Sequence, residues 1–97
     1  MMVLVTYDVE TTTRAGQKRL RKVAKICENH GQRVQYSTFE CVLEPAMFAG
    51  LKFQLETVID KKRDSLRFYN MGSNWNRKVE HIGAKASFNP DTDTLMI

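Results

Sequence analysis

The stretch MMVLVTYDVE, residues 1–10, decides the first element of the fold and raises the first question about function. The segment Met2 to Tyr7 is rich in Val, Leu, Thr and Tyr and is apolar on both faces, which predicts a buried central β-strand. Asp8 follows at the exit of this strand, where an aspartate more often caps a turn than takes part in chemistry. The stretch therefore predicts a central strand that carries one acid at its C-terminal end.

A helix is predicted directly after this strand. Thr11 to Thr13 offer N-cap hydroxyl groups, and Gly31 is a predicted stop at the other end. Within RAGQKRLRKVAKICENHG, residues 14–31, apolar side chains recur at helical spacing, namely Leu20, Val23, Ala24 and Cys27.

One side of this helix is strongly basic. Its cations repeat at steps of three and four residues, namely Arg14, Lys18, Arg21, Lys22 and Lys25, with Arg19 beside them. Like charges on one helix face repel each other, so the arrangement costs stability unless an anion covers it. The pattern predicts either a solvated helix face or a surface that binds a polyanion.

The middle of the chain predicts the remaining elements. In RVQYSTFECVL, residues 33–43, the apolar alternation changes phase at Ser37–Thr38, which fits two tightly joined strands or one strand with a bulge. Pro45 is well placed as the first residue of a second helix that ends near Asp60. DSLRFYNM, residues 64–71, alternates again and predicts a last strand.

The resulting order, β-α-β-β-α-β, predicts an α+β protein with the ferredoxin-like fold. Such a fold is a four-stranded antiparallel sheet with two helices on one face, and its open face invites a second subunit, so we expect a homodimer. We assign residues 1–71 to this domain and residues 72–97 to a linker and tail. The apolar end Leu95–Ile97 predicts a short extra strand on a sheet edge, the partner's edge in our interpretation, and a frayed end is the alternative.

Composition narrows the function. Fifteen Lys and Arg against eleven Asp and Glu give a net charge of +4, which favours polyanionic partners. Cys27 and Cys41 lack the spacing of a zinc site, and His30 and His81 lie in different regions, with no serine in a nucleophile elbow. The sequence has no run of about 18 apolar residues and no signal-peptide pattern, so we expect a cytoplasmic protein.

Asp8 is the remaining candidate for chemistry. A carboxylate beside a cationic helix suits a divalent ion held over a phosphate, and Mg²⁺ is usually bound by one or two carboxylates together with water and phosphate oxygens. If a twofold axis passes near the end of the first strand, the two Asp8 side chains of a dimer share one ion. We therefore expect Mg²⁺, with Mn²⁺ as a substitute.

Three segments, in order, resemble a known family: VTYDVE at residues 5–10, KRLRKVAK at residues 18–25 and GQRVQYSTFE at residues 31–40. They are similar to the small CRISPR-associated nuclease, the second core protein of the spacer-adaptation complex. KVEHIGAK, residues 78–85, resembles the compact class-one, type I-C-like subtype. The resemblance implies a metal-dependent endonuclease that cleaves DNA or RNA during spacer acquisition, with the CRISPR-associated integrase as its partner.

The resemblance also implies the site residues. It assigns Asp8 to metal binding and catalysis, Tyr7 to the same motif, and Arg33, Ser37 and Phe39 to positions linked to activity. The predicted catalytic residues are Asp8, Arg33 and Ser37; the predicted nucleic-acid contacts are Tyr7, Lys18, Arg19, Arg21, Lys22, Lys25, Arg33 and Phe39. Phe39, in a strand, is also a natural core residue. Two alternatives stay open: a non-catalytic DNA-binding scaffold of the integrase complex, and a related toxin-type ribonuclease.

Overall fold

The computed structural model describes residues 1–78, 80 and 82 and confirms the predicted order of elements. The elements are β1 (Met2–Asp8), α1 (Arg14–Glu28), β2 (Gln32–Gln35), β3 (Thr38–Val42), α2 (Pro45–Val58), β4 (Ser65–Gly72) and a single 3-10 turn (Trp75–Arg77). The strands form one sheet in the order β2-β3-β1-β4, and every neighbouring pair is antiparallel. This topology is the ferredoxin-like fold.

The first strand lies in the middle of the sheet, as its apolar composition predicts. Val5 pairs with Phe39 of β3 on one side and with Phe68 of β4 on the other. Val3, Val5 and Tyr7 are buried, whereas Asp8 at the end of the strand is exposed. The alternation follows from the pleat, which turns successive side chains to opposite faces of the sheet.

The hydrophobic core lies between one face of the sheet and the two helices. It contains Val23 and Cys27 of α1, Leu51 and Leu55 of α2, and Val3, Val5, Phe39 and Cys41 of the sheet. The opposite face, called the open face below, carries the other set of β1 side chains, Leu4, Thr6 and Asp8. Its neighbours Val42 and Tyr69 are 40% and 46% exposed, so the described part of the chain leaves this face partly uncovered.

The ends of α1 agree with the sequence at one terminus and differ at the other. Thr13 is the N-cap, and its hydroxyl accepts a hydrogen bond from the Gly16 amide at 3.0 Å. The C-cap is Asn29, in a right-handed conformation, and Gly31 does not have a positive φ. Gly31 is required for a different reason, since a Cβ there would lie 2.5 Å from the Cys41 sulfur.

The segment with the phase change forms two strands. Tyr36 and Ser37 connect β2 to β3, and the register shifts between Arg33 and Gln35, where Arg33 pairs with Phe39 and Gln35 with Thr38. One extra residue on β2 therefore opposes the β3 ladder, which is a β-bulge, and the change of phase lies beyond it, at the connection between the two strands.

The chain after β4 packs more closely than its polar sequence suggests, because Trp75 in the 3-10 turn is buried. The predicted tail strand lies outside the described residues, and the boundary between residues 71 and 72 stays a prediction. No helix in the described ranges is long and apolar enough to cross a membrane.

Candidate functional site

Asp8 occupies the end of the central strand, on the open face. Its cross-strand neighbour is Ser65, the first residue of β4. On the other side, the Tyr7 amide donates a hydrogen bond to the Ser37 carbonyl at 3.1 Å, so the β2–β3 connection lies next to the same strand end. The Asp8 carboxylate is exposed and forms no hydrogen bond or ion pair with residues 1–78. It is therefore free to bind an external ligand.

The residues around Asp8 offer few ligands for a magnesium ion. No group of three or more His, Cys, Asp or Glu side chains that could hold a metal exists among the described residues. Two acids near Asp8 in the sequence or the sheet are already bound: Glu10 accepts hydrogen bonds from Thr12 at 2.8 Å, and Asp64 is buried in an ion pair. One chain thus offers one carboxylate, which fits an ion whose other ligands are water and phosphate oxygens.

Ser37 lies at the same end of the sheet as Asp8, in the connection between β2 and β3. The structure therefore brings these two predicted residues to one region. Tyr36, beside Ser37, is 92% exposed. The sequence did not identify Tyr36 as a site residue. The signal that could have found it is an aromatic residue at the phase change, where a tight connection turns side chains to solvent.

Arg33 is separated from Asp8 within one protomer. It pairs with Phe39 across the ladder, and its guanidinium carbon lies 5.1 Å from the centre of the Phe39 ring. Its Nη2 is 3.4 Å from Glu28 Oε1 at the end of α1, with 41% of the Arg33 side chain exposed. Arg33 is thus on the helix side of the sheet, whereas Asp8 is on the open side, so one chain does not combine them into one cluster.

The structure places Tyr7 and Phe39 in the core, and their contact with nucleic acid stays a prediction. Phe39 is fully buried and Tyr7 is 6% exposed, with their ring centroids 6.2 Å apart in a stacked arrangement inside the core. Burial raises the pKa of the Tyr7 hydroxyl, and the charge of Arg33 offsets only part of this effect. Both rings face the helices because they have the same strand phase as Val5, so in the single chain neither ring is presented to solvent.

Arg19, a predicted nucleic-acid contact, is paired within the chain. Its Nε and Nη2 donate to the Asp64 carboxylate at 2.8 and 3.3 Å, and the Arg19 side chain is 17% exposed. The guanidinium is therefore occupied by a protein carboxylate. Sequence periodicity placed Arg19 beside the basic stripe, but it could not identify a partner 45 residues away.

The remaining cations of α1 form an exposed surface, named here the α1 basic face: Arg14, Lys18, Arg21, Lys22 and Lys25. None of them pairs with an acid in the part of the chain that the structure describes. The predicted exposed stripe is confirmed, and its binding of nucleic acid stays a prediction.

The cysteines are excluded as nucleophiles. Cys27 and Cys41 are free and buried. Burial raises the pKa of Cys27 to about 12 and that of Cys41 to about 11, so both thiols are protonated near neutral pH. Since the thiolate is the reactive form, these residues are packing groups.

Comparison with known proteins identifies the family. The family model of CRISPR associated protein Cas2 matches residues 1–79. The chain is 54% identical to the CRISPR-associated endoribonuclease Cas2 of Nitratidesulfovibrio vulgaris over 99% of this chain and 94% of that protein. It is 56% identical to the CRISPR-associated endonuclease Cas2 of Halalkalibacterium halodurans, over 90% of this chain and 91% of that one. The crystal structure of Streptococcus pyogenes Cas2 at pH 6.5 is 60% identical and superposes with a TM-score of 0.75, covering 86% of this chain and all of that one.

These matches place this ferredoxin-like chain in the class of CRISPR-associated proteins. The chain belongs to the Cas2 family.

Proposed function

We propose that this protein is a metal-dependent endonuclease that hydrolyses phosphodiester bonds during spacer acquisition in CRISPR antiviral defence. The observation that carries the proposal is the Asp8 carboxylate, which is exposed, unpaired within residues 1–78 and located at the end of the central strand. The family supports it, since the relatives from N. vulgaris and H. halodurans are named as an endoribonuclease and an endonuclease. The same matches favour a CRISPR role over that of a toxin-type ribonuclease.

In this proposal each residue has a role that its position permits. Asp8 would hold Mg²⁺, or Mn²⁺ as a substitute, and the chemistry supplied by such an ion would be polarisation of a phosphoryl oxygen and a lower pKa of a bound water. Ser37, at the same end of the sheet, donates a hydrogen bond to a phosphate oxygen. Arg33 holds a more distant phosphate from the hairpin edge through the exposed part of its side chain.

A homodimer completes the site in this proposal. The open face leaves Val42 and Tyr69 partly exposed, which is the kind of apolar surface that a second subunit covers. A twofold axis near the end of β1 would provide the second Asp8 carboxylate. The same proposal includes the CRISPR-associated integrase as partner, the cytoplasm as location and the type I-C-like subtype. The first two rest on the family, and the subtype rests on the KVEHIGAK resemblance.

The decisive experiment replaces Asp8 by Asn and measures cleavage of single- and double-stranded RNA and DNA with Mg²⁺, Mn²⁺ or a chelator. We expect turnover to fall at least about a hundredfold, because outer-shell changes alone cost 10- to 100-fold and this change removes a direct ligand. Nucleic-acid affinity should be unchanged or higher, since one negative charge is removed.

The matched control is Glu56→Gln, which removes the same charge from an exposed position on α2 and should leave turnover at the wild-type level. Wild-type turnover by Asp8→Asn, in a preparation free of contaminating nuclease, would refute the proposed mechanism.

The α1 basic face favours a second candidate function, a non-catalytic scaffold that carries duplex DNA for the integrase. Because its cations are exposed and unpaired within the described chain, they can release counterions on binding DNA. Replacing Lys18, Arg21, Lys22 and Lys25 by Gln should make the negative slope of log affinity against log salt shallower by about 3 to 4. Normal spacer integration by Asp8→Asn would support the scaffold, whereas loss of integration with the dimer intact would contradict it.

A further inference from the structure

The mechanism above does not use Asp64, the most buried ionised group of the described chain. Its side chain is 0% exposed, and both oxygens accept two hydrogen bonds each. Oδ1 accepts from the Glu10 amide at 3.0 Å and from Arg19 Nη2 at 3.3 Å. Oδ2 accepts from Arg19 Nε at 2.8 Å and from the Asp60 amide at 2.9 Å.

The residues that make these contacts lie near Asp8, both along the chain and across the sheet. Asp64 immediately precedes Ser65, the cross-strand neighbour of Asp8, and Glu10 lies two residues after Asp8. The start of α1 closes on the same loop, since a Cβ on Gly16 would collide with the Glu10 carbonyl. One buried carboxylate therefore joins the start of β4, the loop after β1 and the helix α1.

Stability alone is a weak reason for this arrangement. Desolvating two charges costs free energy that their attraction repays only with complete hydrogen bonding, and apolar replacements of a buried pair are often equally stable. The two parallel N–H···O contacts add geometric specificity, because a bidentate guanidinium–carboxylate pair fixes the relative orientation of its two side chains. The elements that Arg19 and Asp64 orient are those on either side of Asp8.

We propose that Arg19 and Asp64 are a positioning pair that fixes the backbone carrying Asp8 and so orients its carboxylate on the open face. The inference rests on the proposed function, in which Asp8 is the catalytic carboxylate. Hydrogen bonds from Arg19 and from the backbone outweigh the effect of burial, which would raise the pKa of Asp64, and keep that pKa below its ordinary value. The Asp64 carboxylate and the Arg19 guanidinium are thus both charged near neutral pH.

The first test is steady-state cleavage by Asp64→Asn, Arg19→Ala and Arg19→Lys. A displacement of about 1 Å at a reacting group costs up to about 100-fold in rate, so we expect the first two variants to lower kcat about 10- to 100-fold with KM unchanged. Arg19→Lys keeps the charge but not the bidentate contact, and its loss should be smaller. The control is Leu55→Ala, a core cavity on α2, which should keep the wild-type kcat at temperatures where it is folded.

The second test is independent of metal and of activity. The measured quantity is the ratio of the amide hydrogen-exchange rate of Glu10 to that of Val5 in the same variant, obtained by NMR without metal. This ratio should rise at least about tenfold in Asp64→Asn and Arg19→Ala. The ratio should be unchanged in Leu55→Ala. Val5 is the reference because it lies in the core on β1, the strand that leads into this loop, so global unfolding affects both amides equally.

The outcomes separate the two ideas. An unchanged Glu10 to Val5 ratio in Asp64→Asn, or a kcat loss no larger than that of Leu55→Ala, overturns the positioning role. A higher KM with unchanged kcat in Arg19→Ala also overturns it, because that result assigns Arg19 to nucleic-acid binding. Wild-type turnover by Asp8→Asn instead refutes the proposed function, while the exchange ratio still reports whether the pair fixes this loop.

Discussion

Phe39 provides a direct test of whether its ring stabilises the fold or contacts nucleic acid. The ring is fully buried, stacks on Tyr7 at 6.2 Å between centroids and lies 5.1 Å below the Arg33 guanidinium carbon. Truncating a buried Phe to Ala costs about 3–5 kcal/mol, a range that already includes the lost ring contacts. A chain of 97 residues has a total stability of about 5–15 kcal/mol, so Phe39→Ala should lose a large part of it. Phe39→Leu fills most of the space and should cost about 1 kcal/mol.

The assay is urea unfolding followed by circular dichroism, together with nucleic-acid affinity by fluorescence anisotropy in conditions where both variants are folded. We expect a large difference in unfolding free energy and the same affinity within about twofold, because the ring has no path to the surface. A loss below about 1 kcal/mol in Phe39→Ala, combined with tenfold weaker binding, would refute this reasoning and restore Phe39 as a contact residue.

Two further predictions concern stability. The folded-state pKa of Asp64 lies below its ordinary value, so the unfolded chain takes up a proton first and the free energy of unfolding should fall as the pH drops below about 4. Urea melts at pH 6 and pH 3.5 should show this loss, and a pH dependence equal to wild type in Asp64→Asn would contradict the assignment. Gly31→Ala should destabilise by about 1–3 kcal/mol, because its Cβ would press on Cys41, whereas Gly50→Ala on α2 meets open space and should stabilise by about 1 kcal/mol. Equal melting temperatures for these two glycine variants would count against the close packing of β3.

Local patterns in the sequence determined the elements of this protein. The apolar segment before Asp8 predicts the central strand because continuous apolar character requires burial on both faces, and β1 does lie between β3 and β4. The Thr13 cap and the α1 basic face follow equally from short-range rules of helix geometry. The strand-end position of Asp8 required only residues 1–10, and the site prediction added the basic helix after the strand, the expected dimer and the family resemblance.

The tertiary structure decided which side chains meet. The bulge in β2 shifts the register between Arg33 and Gln35, and a shift of one residue moves a side chain to the other face of the sheet, so Arg33 joins the core side. Arg19 finds Asp64 across 45 residues of chain, a contact that helix periodicity does not encode. Phe39 and Gly31 likewise take their roles from neighbours on other elements. Periodicity fixes which face a residue occupies on its own element. Packing between distant segments fixes what that face contacts, because groups far apart in the chain replace their contact with water by contact with each other only when the segments pack.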